Sequence, residues 1–253
     1  MKFPAIIIIL SMSFSVLCQS DFGMGISKDE KQKIEQYYSA NNGIVNTSKS
    51  TGTVSNGGLA FGKLIPFFGD NYTYFDQQSY LAGRAFTSDA VKQVILDSYL
   101  VLQERRPNYH FRVMELSNKL GGKMTPHITH QNGMSVDFMM PKLMNNKPYV
   151  GLDNLGINHY WLAFNDQGQY KKDTSISVDF NLIAQHILIL QEQAEKQGMK
   201  ISKVIKKVEY KDKLFDTFFG KKLKESGIYI VKNLSDFINA LHDDHYHIDF
   251  IEI

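Results

Sequence analysis

Strand-like and helix-like stretches alternate irregularly along this chain of 253 residues, and their spacing restricts the fold more than any other feature of the sequence. Helical periodicity is clear in TSDAVKQVILDSYLVLQERRP, where Thr87 or Ser88 can cap the helix, and a second helix is predicted over 179–197. Strands are predicted at 109–116, 134–140, 200–210 and in the terminal HYHIDFIEI. Because these elements lack the regular strand–helix–strand spacing of a parallel sheet, we expect an α+β fold with a central antiparallel sheet flanked by helices.

The first twenty residues, MKFPAIIIILSMSFSVLCQS, combine an early lysine, an apolar run and a small or polar end. The run is too short for a membrane-spanning helix and is typical of a secretory signal peptide. We therefore predict a signal peptide at 1–20, cleaved near Ser20, and a periplasmic or secreted protein with no transmembrane segment after cleavage. Lipid anchoring through Cys18 is the less favoured alternative, because Leu17 stands where lipoprotein signals carry a small residue.

Cysteine usage and charge then exclude several classes of function. Cleavage near Ser20 removes the single cysteine, so the mature protein would have neither a disulfide nor thiol chemistry. It also removes Lys2, which takes the formal net charge from +2 to +1. This balance gives no basic field for nucleic acid, so no nucleic-acid partner is expected and partners must be inferred from a site. The sequence does not predict an oligomeric state.

The organisation of the mature chain is predicted from composition. Residues 21–58 are polar, and NNGIVNTSKSTGTVSNGG within them is rich in Asn, Ser, Thr and Gly, which is typical of an N-terminal arm or linker. Residues 59–253 are predicted to form a single domain, because the helices and strands predicted above all fall within them.

Two histidine-rich stretches carry the candidate chemistry. The first, HITHQNGMSVD, contains His127, His130 and Asp137 in a turn that enters a strand. The second, DDHYHIDF, directs His245 and His247 to one face of a strand, because side chains alternate with period two. Each stretch alone is also compatible with a polar loop or a solvated strand. Together they offer nitrogen and oxygen ligands for a zinc-like ion, and three protein ligands with an open position are typical of catalytic zinc.

The sequences of these motifs are similar to those of a known family. THQNGMSVDFMMP resembles the SHQTGLDVDIFLQLP signature of the penicillin-insensitive murein endopeptidases, which are zinc metallopeptidases of the LAS type. STGTVSNGGLAFGKLIP resembles the family's N-terminal stretch, RAFTSDAVKQVILDSYLVL lies where the family has an arginine-rich turn and helix, and HYHI lies where it has HMHV. The resemblance covers roughly residues 50–250, in the same order and at similar spacing, and implies a fold like that of the LAS metallopeptidases.

The resemblance also implies roles for individual residues. His130, Asp137 and His247 would bind one zinc ion, and His245 would stand beside the metal as general base or transition-state stabiliser. His127 falls where the murein endopeptidases have an additional metal-associated histidine, so it is a candidate ligand.

Two departures from the family concern the metal and the disulfides. The family's further Asp and His pair has only Asp166, in NDQGQY, as its counterpart, which leaves a second ion without support. The family chains also contain cysteines, which the mature protein would lack.

Other candidate residues are indicated by their residue type and position. Arg84 and Tyr80 could hold a substrate carboxylate or stabilise an oxyanion. Trp161, with its neighbour His159, could line a substrate cleft or belong to a buried aromatic cluster.

Two further polar residues are expected to face solvent. Asp249 shares a strand face with His247 and could orient its imidazole, although a solvated edge charge is the favoured interpretation. His186 lies on the polar side of the second predicted helix, and we expect it to be solvated.

We therefore expect a secreted zinc metallo-endopeptidase. Its metal-activated water would cut peptide cross-links of bacterial peptidoglycan, between D-alanine and meso-diaminopimelate. A D,D- or L,D-carboxypeptidase acting on uncross-linked stem peptides is one alternative. The other is a metal-containing module that binds wall peptides without cleaving them, against which His245 counts, because a pure binding site needs no histidine beyond its ligands.

Overall fold

The computed structural model describes residues 25–253, which form a mixed α+β fold with several sheets. The predicted signal peptide, its cleavage near Ser20 and the lipidation alternative at Cys18 lie outside these residues. Between residues 25 and 253, no helix is both long enough and apolar enough to cross a membrane.

The largest sheet has five strands and carries both histidine-rich motifs. In spatial order its strands are β12 (Met199–Ile205), β13 (His245–Glu252), β7 (Ser135–Met139), β6 (Phe111–Val113) and β4 (Tyr72–Tyr74). Neighbouring strands run antiparallel except for β4 and β6, which pair in parallel. The strands predicted over 134–140 and at the end of the chain are thus confirmed, within one of several sheets rather than a single central one.

The five-stranded sheet has an apolar face and a polar face, because side chains alternate along each strand. On the apolar face, Phe138 packs with its ring centroid 5.5 Å from that of Tyr246. This face is covered by two helices, α3 (Asp89–Arg105) and α4 (Phe180–Lys196). The opposite face presents Asp137, His245 and His247, all of them buried.

Both long helices agree with the sequence prediction, and their first turns show why they begin where they do. The hydroxyl of Ser88 accepts a hydrogen bond from the backbone N–H of Val91 at the start of α3. The Asp179 carboxylate does the same for Leu182 at the start of α4. Such caps satisfy amide groups that have no partner within the helix, so they fix the first residue of each helix.

The N-terminal part of the described chain packs on this body. Helix α1 (Lys28–Asn41) buries Ile34, and the ring of Tyr37 meets that of Tyr80 edge-on at 5.6 Å. Strand β1 (Lys49–Thr53) forms a hairpin with β2 (Asn56–Ala60), so strand pairing crosses the expected domain boundary between residues 58 and 59. Strand β3 (Lys63–Leu64) pairs with β5 (Phe86–Thr87), and α2 (Gln77–Leu81) lies between them in sequence.

Residues 142–178 contain a second sheet, in a part of the chain for which the sequence analysis predicted no strand. Its antiparallel strands, in spatial order, are β10 (Gln169–Tyr170), β11 (Asp173–Val178), β8 (Lys142–Met144) and β9 (Lys147–Tyr149). Between β9 and β10 the chain forms a 3-10 helix, Gly156–Trp161. The chain then continues after β12 through a 3-10 turn (Val208–Tyr210), α5 (Lys211–Asp216), α6 (Phe218–Glu225) and α7 (Asp236–Leu241).

Buried charges anchor the loop that leads into the Gly156–Trp161 helix. The ammonium group of Lys142 lies 2.8 Å from the Asp153 carboxylate, and both side chains are buried. The buried Arg112 guanidinium donates to the Asn154 side chain at 2.7 Å. Moving the loop away would leave the buried charges of Lys142 and Arg112 without their partners, which is energetically costly. These contacts therefore hold the loop against the polar face of the sheet.

The expectation that His186 is solvated was wrong. Helix α4 buries eleven of its seventeen residues, since other elements cover more than one of its faces. His186 is 2% exposed, and its ring lies within hydrogen-bond distance of the Tyr246 hydroxyl (2.5 Å) and the Ser98 hydroxyl (3.1 Å). Burial lowers the pKa of His186 to about 3, so the folded protein keeps this imidazole neutral.

We predict that His186 makes the fold acid-sensitive. Between about pH 6.5 and pH 3 the unfolded chain binds a proton at this position that the folded chain does not, so the stability contributed by neutral burial is complete above about pH 6.5 and is lost as pH falls. His186→Gln should flatten the pH dependence of the unfolding free energy by about 1.4 kcal/mol per pH unit in this window. Urea titrations in the presence of a chelator measure it, and identical slopes for the two proteins would contradict it.

Candidate metal centre

The pairing of β13 with β7 brings the two histidine-rich motifs together. His247 lies directly opposite Asp137 in the register of these strands, and its Nδ1 atom is 2.7 Å from Asp137 Oδ1. His130 Nε2 is 3.2 Å from the other oxygen of Asp137 and 3.0 Å from His247 Nδ1. Three donor atoms from the two motifs therefore converge on one point, and the three residues are no more than 2% exposed.

An unusual turn delivers His130 to this point. His130 adopts a left-handed backbone conformation with φ of 67°, which costs a residue other than glycine about 1 kcal/mol. The following turn passes through Gly133 at φ of 75°, where a Cβ atom would meet the side chain of Leu59 and the backbone of Ser88. The Gln131 N–H donates to Val54 in the β1–β2 hairpin, so the hairpin holds the turn against β7.

The ring nitrogens that face away from this point are held by acceptors. His130 Nδ1 lies within hydrogen-bond distance of the Leu116 carbonyl oxygen. His247 Nε2 lies 2.7 Å from the Asp249 carboxylate, which also accepts from the Ser135 hydroxyl and lies 2.9 Å from the Lys203 ammonium. Asp249 is 1% exposed, so the favoured interpretation of a solvated edge charge was wrong. Outer acceptors of this kind orient metal-binding imidazoles and raise their basicity.

In His127, too, one ring nitrogen is held by an acceptor and the other faces Asp137. Its Nε2 atom contacts the Glu115 carboxylate, while its Nδ1 atom lies 3.6 Å from Asp137 Oδ2. Glu115 is itself held by Arg84, whose Nε is 2.9 Å from the carboxylate, and by the Ser79 hydroxyl. The structure thus turns His127 towards the three converging donors, as a candidate fourth ligand and third nitrogen.

The electrostatics of the cluster favour a cation. Burial by itself would raise the pKa of the Asp137 carboxyl, but the facing imidazoles of His130 and His247 hold it well below its usual range. Burial would lower the pKa of His247, but the carboxylates of Asp249 and Asp137 outweigh it and raise that pKa to about 10. A buried negative charge thus requires a positive one at this point, either a proton on His247 or a metal ion that displaces it.

The described residues include two groups that could hold a metal ion: His127 with His130 and Asp137, and His159 with Asp244 and His245. The first group lies against His247, and its donor set fits one ion. Neutral imidazole nitrogens with a single carboxylate suit zinc and the neighbouring transition metals, whereas magnesium and calcium prefer oxygen ligands alone.

A second buried cluster adjoins the first. Asp244, which directly precedes His245, accepts from two imidazoles: His245 Nδ1 lies 2.8 Å from one carboxylate oxygen and His159 Nδ1 lies 2.6 Å from the other. All three residues are at most 4% exposed. Burial would lower the pKa of His245, but the hydrogen bond and charge of Asp244 outweigh this effect and raise it. The ring centroid of His242 lies 4.7 Å from that of His245, with the two rings tilted by 35°.

A cleft of about 350 Å³ opens beside the two clusters. His127, His245 and His247 contribute to its lining, together with the ring of Tyr160. Its walls are largely aliphatic and comprise Ile128, Ile205, Leu234, Ile238 and Leu241. His127 and His247 of the candidate ligands, together with His245, thus face one depression that could admit a peptide segment.

The residues predicted to contact substrate lie in different environments. Tyr80 is fully buried and its hydroxyl donates to the Ile65 carbonyl at 2.8 Å, so it does not reach the cleft and the prediction was wrong. Arg84 is occupied by Glu115 and by the Thr125 carbonyl, so it supports His127 rather than an open anion site. Trp161 is 79% exposed and lies outside the residues that line the cleft.

Asp166, the counterpart of the family's further aspartate, is exposed and pairs with Lys207 at 2.7 Å. It lies outside both clusters, so the structure gives no support to a second ion at this residue.

Sequence analysis missed Glu115, Asp244 and the role of His159. The role of Asp244 could have been predicted, because a carboxylate next to a functional histidine can accept a hydrogen bond from its ring. The roles of Glu115 and His159 could not, since long-range folding alone brings them to His127 and Asp244.

Comparison with known proteins does not assign a function. No protein-family model matches the chain, and no curated protein matches it.

We predict that Asp249 strengthens metal binding from outside the ligand set. Asp249→Asn removes the charge behind His247 Nε2 and should lower metal affinity by about 10- to 100-fold. Competition with a chromophoric chelator measures the affinity. Asp166→Asn serves as the control, because this exposed carboxylate lies outside the cluster, and equal affinities for all three proteins would contradict the role of Asp249.

Proposed function

We propose that the protein is a secreted zinc metallo-endopeptidase of the LAS type that hydrolyses D-alanyl–meso-diaminopimelate cross-links in bacterial peptidoglycan. One observation carries the proposal: inward-facing donor atoms of His130, Asp137 and His247 converge beside a cleft that His247 lines, while the outer nitrogens of both rings are held by acceptors. The similarity of the surrounding motifs to the murein endopeptidases supports the choice of substrate.

In this proposal His130, Asp137 and His247 hold one zinc ion, and His127 is available as a further ligand. When bound, the ion would supply Lewis acidity, which polarises a peptide carbonyl and lowers the pKa of water to about 7. The acceptors behind the imidazoles keep the ligand nitrogens aimed at one point.

His245 moves the proton. Its Nδ1 is engaged by Asp244, so Nε2 is the ring nitrogen available to the cleft that His245 lines. A histidine is suited to accept a proton from water and return it to the leaving amine near neutral pH. This arrangement counts against a pure binding module, in which a histidine held for proton transfer beside the ligands would have no use.

The charges around the cleft favour cleavage of an internal peptide bond over carboxypeptidase activity. A carboxypeptidase needs a cation free to bind the terminal carboxylate of its substrate. Lys203 is the only lysine or arginine among the described residues that line the cleft, and it pairs with Asp249 at 2.9 Å. The nearby Arg84 is engaged by Glu115.

The mature protein should cleave purified cross-linked muropeptide dimers at neutral pH in the presence of zinc, and a chelator should abolish the cleavage. Chromatography of the products with mass spectrometry measures it. Monomeric stem peptides are the comparison substrate. Persistence of the dimers would refute the endopeptidase, and trimming of monomers alone would assign the protein to the carboxypeptidases.

Two variants separate metal binding from proton transfer. His247→Ala should lose both the ion and the activity, because it removes a ligand. His245→Ala should keep one ion per chain while kcat falls by about 10²- to 10⁴-fold, the usual contribution of a general acid–base group. Metal analysis and steady-state kinetics measure both, with Asp166→Ala as a surface control. Loss of the ion from His245→Ala would make this residue a ligand instead.

A further inference from the structure

The cluster of His159, Asp244 and His245 differs from the metal centre in the direction of its ring nitrogens. In the metal centre, His130, His247 and His127 each direct one nitrogen outward to an acceptor and the other inward to Asp137. In the second cluster, His159 and His245 both turn Nδ1 inward to Asp244.

The outer nitrogens of the second cluster lack the acceptors that mark the metal centre. The buried Nε2 atom of His159 has no hydrogen-bond partner among residues 25–253. No acceptor therefore holds the proton of His159 on Nε2, which would leave Nδ1 free to bind a metal ion. The short contacts of both Nδ1 atoms with the carboxylate are those of N–H donors to a charged acceptor, at 2.6 and 2.8 Å.

We propose that Asp244 is a positioning residue that holds His245 with its proton on Nδ1 and the lone pair of Nε2 directed to the cleft, and that His159 holds Asp244 in place. This inference rests on the proposed role of His245 in proton transfer. A neutral imidazole carries one donor and one acceptor nitrogen. The Asp244 carboxylate accepts from Nδ1 of His245, so Nδ1 is the donor and Nε2 the acceptor. Without Asp244, His245 would populate the other tautomer, which cannot accept a proton from the cleft.

The position of Asp244 is fixed from both sides. Its backbone carbonyl accepts from the Met140 N–H at the end of β7, which anchors the start of β13. Its second carboxylate oxygen is held by His159, which the Gly156–Trp161 helix carries under the sheet. The ring of Phe75 meets that of His159 edge-on at 5.6 Å. The loop before this helix is anchored by Arg112, so buried charges far from the cleft contribute to the orientation of His245.

The first test replaces Asp244 by asparagine, which keeps the size of the side chain but presents an amide N–H₂ to one of the two imidazoles. For Asp244→Asn we expect kcat on cross-linked dimers to fall by about 10²-fold or more, with KM and the one-ion metal content unchanged. Asp243→Asn is the matched control: the neighbouring carboxylate accepts from the Phe164 N–H, a bond that asparagine can also make, so its kcat should equal that of the wild type.

The second test uses the donor that holds Asp244. His159→Asn can still donate an N–H near the position of Nδ1, whereas His159→Phe leaves one oxygen of Asp244 unpaired. We expect kcat to be lower in His159→Phe than in His159→Asn, although both variants bind one ion. An unchanged kcat in Asp244→Asn overturns the proposal, and so does loss of the ion from that variant, since Asp244 would then be a ligand.

The third readout does not depend on activity. Long-range nitrogen–proton correlation spectra of protein labelled in histidine, recorded at alkaline pH, report the tautomer of each ring. We expect His245 to carry its proton on Nδ1 in the wild type and to lose this preference in Asp244→Asn. A wild-type His245 protonated on Nε2 overturns the proposal. If the Nδ1 tautomer is found but dimers are not cleaved, the positioning stands and the proposed endopeptidase activity falls.

Discussion

The antiparallel pairing of β13 with β7 is the constraint on which the rest of the site depends. It places His247 opposite Asp137, although 110 residues separate them in the chain. The same alternation that sends Tyr246 and Phe138 into the core sends the titratable residues to the other face. A slip of one residue would exchange the two sets, so burial of the aromatic rings fixes the register that the candidate chemistry requires.

Buried carboxylates organise the polar face of this sheet, and each has a different partner. Glu115 lies behind His127, Asp249 behind His247 and Asp244 behind His245, while Asp137 lies at the point where the rings meet. An isolated buried carboxylate would be protonated rather than charged. Here the imidazoles, with Lys203 and Arg84, keep the carboxylates ionised, so removing one member disturbs neighbours that it does not touch.

The elements that sequence predicted well are those with long periodic patterns and local end signals: α3, α4, β7 and β13. The second sheet was not predicted from the sequence, because several of its strands have only two or three residues, too few for alternation to be recognised. Spacing and resemblance predicted His130, Asp137, His245 and His247 as the candidate site, and the structure brings them together. Residue type could not predict that α4 is covered on several faces, nor that Glu115 and His159 return to the site from distant segments.

The left-handed backbone at His130 has a consequence for how this chain can vary. Glycine adopts that conformation without strain, so the backbone alone would favour glycine at this position, whereas the histidine fills the site with a buried imidazole. The histidine at this position therefore combines a strained backbone conformation with an imidazole that faces Asp137. In a related chain that binds no metal at this point, glycine or asparagine would relieve the backbone strain at the position of His130, so the residue found there would report whether the candidate metal site is kept.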